Sequence, residues 1–221
     1  MQNGFYRFIV VALFSLFPFF SQAEPLNLTA LEARYQGFKS WSVDFTQTSH
    51  IETLNQDLNK TGRISAIRPR LLRIDYTTEP QKSYIYNGEK LWIYQPLTEE
   101  AQEFPEANRV LTSEALSFLG GLDKISSLFD AVEELKEAEG TLKISDKNLQ
   151  KIALLPKNEN TGILRLTLGI EPSTSLLKEA VLFNTSGNVT HYQFDTIQTD
   201  INLDQKTFAL PAQAKVKVVK P

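Results

Sequence analysis

Residues 71–94 read LLRIDYTTEPQKSYIYNGEKLWIY, and this stretch decides the fold class. Apolar and polar residues alternate within it, which is the two-residue period of a β-strand with one buried face. Asn87-Gly88 is a strong hairpin signal, and a type I′ turn is predicted there. The stretch therefore predicts consecutive antiparallel strands. With the strand just before them, their bounds are 62–67, 71–76, 82–86 and 90–94.

The alternating pattern continues on both sides of this stretch. Trp41, Val43 and Phe45 alternate with polar residues and begin an earlier strand. Since strands twist, a sheet of about ten strands curls strongly, and its concave face has to be covered. The later strands are predicted at 142–144, 152–155, 163–168, 180–183, 189–197 and 215–219.

Two parts of the chain have helical patterns. An amphipathic helix is predicted over 28–38, and a short and a longer helical piece, separated by Gly120-Gly121, are predicted between Ser113 and Leu135. The prediction of the first helix is based on apolar residues at three- and four-residue spacing, namely Leu28, Leu31, Tyr35 and Phe38. The sequence thus predicts a mainly β fold in which helices form a lid over a curved sheet.

The N-terminus is typical of a secretory signal peptide. Arg7 supplies a positive charge, residues 8–20 form an almost unbroken apolar run, and Ser21-Gln22-Ala23 places small residues before a cleavage site. The run is shorter than the roughly 20 residues of a membrane-spanning helix, which disfavours a retained anchor. Cleavage is predicted after Ala23, so that 1–23 is the signal peptide and 24–221 is one exported domain.

Charge and cysteine content narrow the classes of partner. The chain has 23 Lys and Arg against 26 Asp and Glu, and no basic cluster, so nucleic acid is not an expected partner. It has no cysteine and therefore neither disulfides nor the residue that carries the lipid of a bacterial lipoprotein. A soluble mature protein that an apolar core stabilises is expected.

Catalytic and metal-binding patterns are not found in the sequence. The chain has two histidines, His50 and His191, which with the lack of cysteine excludes a Cys-His nucleophile and a histidine-rich metal site. His191 is expected at the surface or rim of the sheet, and Asp75 is expected to face solvent. The sequence predicts no enzymatic activity, no cofactor and no metal.

Large side chains dominate the predicted apolar face. From composition alone a closed aromatic core is favoured, and an openable cavity is the alternative. The residues concerned are Trp41, Phe45, Leu72, Ile74, Tyr76, Tyr84, Tyr86, Trp92 and Tyr94.

A resemblance to a known protein family bears on the choice between a closed core and an openable cavity. Residues 68–76 read RPRLLRIDY, Glu79-Pro80 and Asn87-Gly88 follow, and 91–96 read LWIYQP. In this order and spacing, the sequence resembles the periplasmic outer-membrane lipoprotein carrier family, LolA. The resemblance extends over essentially the whole mature chain and includes Phe45-Thr46-Gln47.

The resemblance implies an incomplete, unclosed antiparallel β-barrel covered by an α-helical lid, in the periplasm. It implies a monomer that takes acylated lipoproteins from an inner-membrane ABC-type lipoprotein-releasing complex to an outer-membrane lipoprotein acceptor. Arg68 would hydrogen-bond to the lid helix, at Tyr35 or Leu31, as a lid latch. The acyl-chain cavity would be lined by Trp41, Phe45, Leu72, Ile74, Tyr76, Tyr84, Tyr86, Trp92, Leu116, Phe118 and Leu119.

The chain departs from the family at Ile74, where the family usually has an aromatic residue, which affects the expected cavity shape. Two other functions stay open from the sequence. One is a periplasmic carrier of free lipid or glycolipid, and the other is a lipid-sensing regulatory domain.

Overall fold

The computed structural model describes residues 28–107, 122, 124–132 and 142–219. The predicted signal peptide and the first predicted helical piece, with Leu116, Phe118 and Leu119, lie outside these residues. Two α-helices are described, α1 Leu28–Gln36 and α2 Ile125–Leu128. Short 3-10 turns are formed by Glu52–Leu54, Glu159–Thr161 and Gln205–Phe208.

Most of the strands lie in segments predicted as strands, and two of them, β3 and β4, match the predicted bounds. In chain order they are β1 Ser40–Ile51, β2 Gln56–Ile67, β3 Leu71–Tyr76, β4 Lys82–Tyr86, β5 Leu91–Gln95, β6 Glu100–Phe104, β7 Phe129–Val132, β8 Gln150–Pro156, β9 Ile163–Glu171, β10 Leu176–Asn184, β11 Val189–Phe194, β12 Gln198–Thr199 and β13 Lys215–Val218.

All of these strands belong to one 13-stranded sheet, in the order β13-β6-β5-β4-β3-β2-β1-β11-β10-β9-β8-β7, with β12 paired to β1. The end strands β13 and β7 each have one neighbour in this order, so the sheet is not closed. The predicted mainly β fold, an unclosed barrel with a helical lid, is confirmed.

Both described helices lie against one face of the sheet, which we call the inner face. Leu31 and Tyr35 of α1 and Ile125 of α2 are buried in the same hydrophobic cluster as Phe45 of β1 and Leu168 of β9. This shared cluster makes α1 and α2 the described part of the lid.

Strand register explains how aromatic rings fill the inner face. Phe45 lies opposite Gly62 in β2, and Gly62 lies opposite Tyr76 in β3. A Cβ atom on Gly62 would clash with the Phe45 ring and with the carbonyl oxygen of Asp75. Glycine therefore lets the Phe45 ring lie across β2 and meet Tyr76 edge to face, with ring centroids 5.4 Å apart.

The region predicted as a longer helix, 122–135, is helical only at Ile125–Leu128 among its described residues. The chain then becomes β7, whose Phe129 and Val132 pair with Pro156 and Ala153 of β8. The helix prediction was wrong here because pairing with a distant strand satisfies the backbone of these residues, and that partner is not visible in local periodicity.

The hairpin between β4 and β5 is present, but its turn differs from the prediction. Its loop has four residues, 87–90, and Gly88 has a positive φ of 97° while Asn87 does not. The Asn87 side-chain oxygen accepts hydrogen bonds from the backbone N–H groups of Glu89 and Lys90, at 3.1 and 2.9 Å. This side-chain turn replaces the predicted type I′ turn.

The strand β13 pairs with β6 in parallel, whereas antiparallel pairing was expected throughout. The chain between β12 and β13 crosses the opposite side of the sheet, the outer face, where Arg73 donates to the Thr207 carbonyl oxygen at 2.8 Å. Parallel strands need such a crossover connection. The strand β6 was not predicted, because its sequence EAQEF is mostly polar.

Residues 142–149, which we call the outer segment, cover the outer face of the other half of the sheet. Leu142, Ile144 and Leu149 pack there with Val181 and Val189. The strand predicted at 142–144 is therefore wrong, because these residues form no ladder and serve as an apolar cover.

The outer segment is held by a buried polar cluster. Glu179 accepts hydrogen bonds from Ser145 N and Oγ, both at 2.7 Å, and from Asp146 N at 3.1 Å. His191 Nε2 lies 2.8 Å from Glu179 Oε2, and His191 is only 8% exposed, so its expected surface position was wrong. Burial alone would raise the pKa of Glu179, but the hydrogen bonds from Ser145, His191 and Asp146 outweigh it and lower that pKa.

Glu179→Gln is expected to lower the free energy of unfolding at pH 7.5 by about 2 kcal/mol, because buried donors lose their charged acceptor. A lowered folded-state pKa stabilises the fold above the unfolded value of about 4.3, and this contribution is lost as the pH falls further. The difference from the parent should therefore shrink at about pH 3. Urea unfolding at both pH values measures it, with the exposed Glu159→Gln as control. A deficit of equal size at both pH values would contradict the charge-based account.

Candidate functional site

An apolar pocket of about 90 Å³ opens on the inner face, between β3, β4 and β5 on one side and β11 on the other. Its lining is aliphatic and aromatic. The lining residues are Leu72, Ile74, Tyr76, Tyr84, Tyr86, Leu91 and Tyr192.

Strand alternation gathers these side chains. Leu72 lies opposite Tyr86, and Ile74 lies opposite Tyr84, so large residues of β3 and β4 form two cross-strand pairs on one face. Tyr86 in turn lies opposite Leu91 of β5. The pocket wall is thus a direct product of the two-residue period in 71–94.

Two tyrosine hydroxyls at the pocket, those of Tyr76 and Tyr192, are hydrogen bonded. Tyr76 Oη donates to Gln47 Oε1 at 2.8 Å, and the Tyr192 hydroxyl is hydrogen bonded to Tyr76. Burial raises the pKa of Tyr192 to about 12 and also raises the pKa of Tyr76 and of Tyr84. These three side chains therefore stay neutral at physiological pH, which suits apolar ligands.

The lid helix α1 is fixed at both of its sides around Tyr35. Arg68 Nη2 donates to the backbone oxygen of Tyr35 at 2.8 Å, and Tyr35 Oη accepts from Leu177 N at 2.8 Å. Burial raises the pKa of Tyr35 to about 12, so its hydroxyl stays protonated. The structure thus brings together Arg68 and Tyr35 of the predicted lid latch, while Leu31 packs in the core without exposure.

The two lid helices are also joined to each other. Glu32 of α1 accepts hydrogen bonds from the backbone N–H of Ser126, at 3.0 Å, and from its hydroxyl. Lid opening therefore has to move α1 and α2 together or break these bonds.

Several predicted cavity residues do lie at the pocket, and others do not. Leu72, Ile74, Tyr76, Tyr84 and Tyr86 line it. Trp41 and Phe45 lie on the same face but within the closed core. Leu116, Phe118 and Leu119 lie outside the described residues.

Trp92 was wrongly predicted to line the pocket. It lies opposite Ile85 and Glu103, in the row that faces away from Tyr84 and Tyr86. Its Nε1 donates to Glu103 Oε2 at 2.8 Å. The Trp92 side chain therefore lies on the outer face, where its indole N–H has an acceptor.

Sequence reasoning missed two lining residues, Leu91 and Tyr192. Tyr192 is the middle of an alternating set with Thr190 and Phe194 on β11, a signal that the sequence does contain. Its proximity to β3 follows only from the long-range pairing of β1 with β11, in which Tyr192 lies opposite Gln47.

The residues that the structure describes include no group of three or more His, Asp or Glu side chains that could hold a metal ion. Within the same residues, no helix has the length and hydropathy needed to cross a membrane.

Comparison with known proteins identifies relatives along nearly the full chain. A protein from Methylococcus capsulatus, named outer-membrane lipoprotein carrier protein, is 26% identical over 213 residues, covering 96% of this chain and 97% of its own length. A protein of the same name from Haemophilus ducreyi is 23% identical and covers 98% of this chain and 96% of its own length.

A solved structure has a similar fold. It is a conserved protein from Thermus thermophilus, described as uncharacterized, with a TM-score of 0.52 and 16% identity over 86% of this chain and 98% of its own. This likeness concerns the fold alone.

The family model described as outer membrane lipoprotein carrier protein LolA matches residues 36–211, which include β1 to β12 and the whole pocket wall. The chain therefore belongs to the LolA family of outer-membrane lipoprotein carriers.

Proposed function

We propose that this protein is a periplasmic chaperone that shelters the acyl chains of lipoproteins. It takes them from an inner-membrane ABC-type releasing complex and delivers them to an outer-membrane acceptor, as a monomer and without a catalytic step. The observation that carries this proposal is the apolar, uncharged pocket on the inner face, beneath a lid that few polar contacts hold among the described residues.

The energetics of acyl chains support a lid that moves. Each buried methylene contributes about 0.8 kcal/mol, so a lipoprotein does not leave a membrane without an alternative apolar shelter. The pocket of about 90 Å³ is smaller than the roughly 300 Å³ at which ligand pockets begin. Cargo therefore enters by displacing α1 and exposing the inner face around Leu72 and Tyr86.

A release assay tests the proposal. Inner-membrane vesicles that contain the releasing complex and a labelled lipoprotein are incubated with ATP and the purified protein. The expected result is a soluble one-to-one complex of the protein with the lipoprotein, which passes its cargo to the outer-membrane acceptor.

The two alternatives predict other outcomes. Capture of phospholipid or glycolipid with no lipoprotein would indicate a free-lipid carrier. Ligand binding with no transfer to any acceptor would indicate a sensing domain. Mass spectrometry of the soluble complex distinguishes these cases.

A further inference from the structure

Trp41 buries a hydrogen-bond donor that has no acceptor among the described residues. The residue is 4% exposed, and its indole Nε1 has no hydrogen-bond partner in the described part of the chain. A buried unsatisfied donor is costly, and more than nine in ten buried polar groups in proteins are paired. The N–H group at this position therefore calls for an explanation.

The surroundings of Trp41 do not supply that explanation. Trp41 belongs to the apolar cluster that includes Leu31, Tyr35 and Phe38 of the lid region. A phenylalanine would serve such a cluster without a polar atom to bury. The other tryptophan, Trp92, has its Nε1 paired with Glu103 on the outer face, so the chain does satisfy indole N–H groups elsewhere.

The position of Trp41 connects it to the pocket. Trp41 lies opposite Ala66, Ala66 lies opposite Leu72, and Leu72 lies opposite Tyr86. These four residues form one cross-strand row on the inner face, and Leu72 and Tyr86 line the pocket. When the lid moves away, Trp41 becomes part of the same apolar floor.

An acyl chain attached to a protein brings one polar group into such a floor. Its ester or amide carbonyl oxygen is an acceptor, and burying it without a donor costs free energy. The Trp41 N–H has no acceptor among the described residues, so it can donate to such a carbonyl without breaking an existing bond.

We propose that the Trp41 indole N–H donates a hydrogen bond to the ester or amide carbonyl at the head of a bound acyl chain. This inference rests on the proposed function and deepens it, since such a hydrogen bond makes the site selective for acyl groups over plain alkyl chains. Trp41 thus acts as a specificity-determining residue in the loaded state.

The test compares two synthetic lipopeptides of one peptide sequence, with either two ester-linked hexadecanoyl chains or two ether-linked hexadecyl chains. The ether probe has the same chain length and lacks the carbonyl groups. Binding of both is measured by fluorescence polarisation for the parent protein and for Trp41→Phe. The parent is expected to bind the ester probe about three- to tenfold more tightly, as a net hydrogen bond warrants.

Because each variant is compared with itself, a change in overall stability cancels from the ratio of the two affinities. In Trp41→Phe this ratio is expected to fall close to one. A second replacement, 3-benzothienylalanine at position 41, keeps the ring size and removes only the N–H. The matched control Trp92→Phe removes an indole on the outer face and should keep the ratio of the parent.

An unchanged ratio in both position-41 variants, or a parent without preference for the ester probe, would overturn the inference and leave the carrier function intact. A parent that binds neither lipopeptide would overturn the proposed function and the inference with it.

Discussion

Leu72→Glu is expected to weaken binding of acylated cargo about a thousandfold at pH 7.5. The side chain of Leu72 is 5% exposed and lies on the pocket wall opposite Tyr86. The free variant can open its lid and hydrate the carboxylate, whereas the loaded variant has to bury it against acyl chains. Neutralising a glutamate with an ordinary pKa of about 4.3 costs about 1.36 kcal/mol per pH unit, which gives about 4 kcal/mol at pH 7.5.

The same argument predicts a pH signature. At pH 5.5 the cost of neutralising the carboxylate falls to about 1.6 kcal/mol, so the loss of affinity should shrink to about fifteenfold. Titration of a fluorescent lipopeptide at the two pH values measures both losses.

The matched control is Leu71→Glu, which makes the same chemical change one residue earlier. Leu71 lies opposite Ile67 on the other face and is half-buried. It should keep cargo affinity within about threefold, because its carboxylate stays clear of the cargo. A folded Leu72→Glu that binds like the parent would remove Leu72 from the site. An unfolded one would indicate that Leu72 belongs to a closed core.

The elements with a clean two-residue period were predictable from local sequence. The strands β3 and β4 match the predicted bounds because their alternation and the flanking turn residues are both encoded within a few positions. The same alternation predicts the pocket residues of β3 and β4, because it places them on one face of two adjacent strands. These residues are Leu72, Ile74, Tyr76, Tyr84 and Tyr86.

Elements whose state depends on a distant partner were not predictable in this way. The strand β7 forms because β8 is there to pair with it, and the outer segment forms no described ladder because it packs as a cover over β10 and β11. The buried contact between Glu179 and His191 was not predictable for the same reason. The two residues are twelve positions apart and meet only through the β10–β11 register.

The face on which Trp92 lies is predictable from strand parity. In an antiparallel hairpin with an even number of loop residues, even-numbered residues of one strand lie opposite odd-numbered residues of the other. Tyr84 and Tyr86 therefore share a face with Leu91 and Ile93, both for the predicted two-residue turn and for the four-residue loop that the structure has. Trp92 has the opposite parity and therefore lies on the outer face.

The contact proposed as the lid latch joins α1 to the end of β2. Arg68 follows β2 and donates to the Tyr35 carbonyl oxygen of α1 at 2.8 Å in the closed state. Under the proposed function, displacement of α1 to admit an acyl chain would break this bond, so the latch is expected to stabilise the empty state relative to the loaded one. A hydrogen bond from a charged donor contributes roughly 1.5–3 kcal/mol, which corresponds to about ten- to a hundredfold in apparent cargo affinity.

Arg68→Leu is therefore expected to fold, to accept cargo, and to release it to the outer-membrane acceptor about ten- to a hundredfold more slowly than the parent. The empty state loses its bond to α1, and the leucine adds apolar contact near the lid. A transfer assay with purified carrier, labelled lipoprotein and acceptor measures the rate. Arg63→Leu is the matched control, because it removes the same charge from an exposed ion pair with Asp44 on β1, which contributes little. Transfer by Arg68→Leu at the parental rate, with the control unchanged, would mean that Arg68 only supports the turn after β2 and that another contact sets the balance between the empty and loaded states.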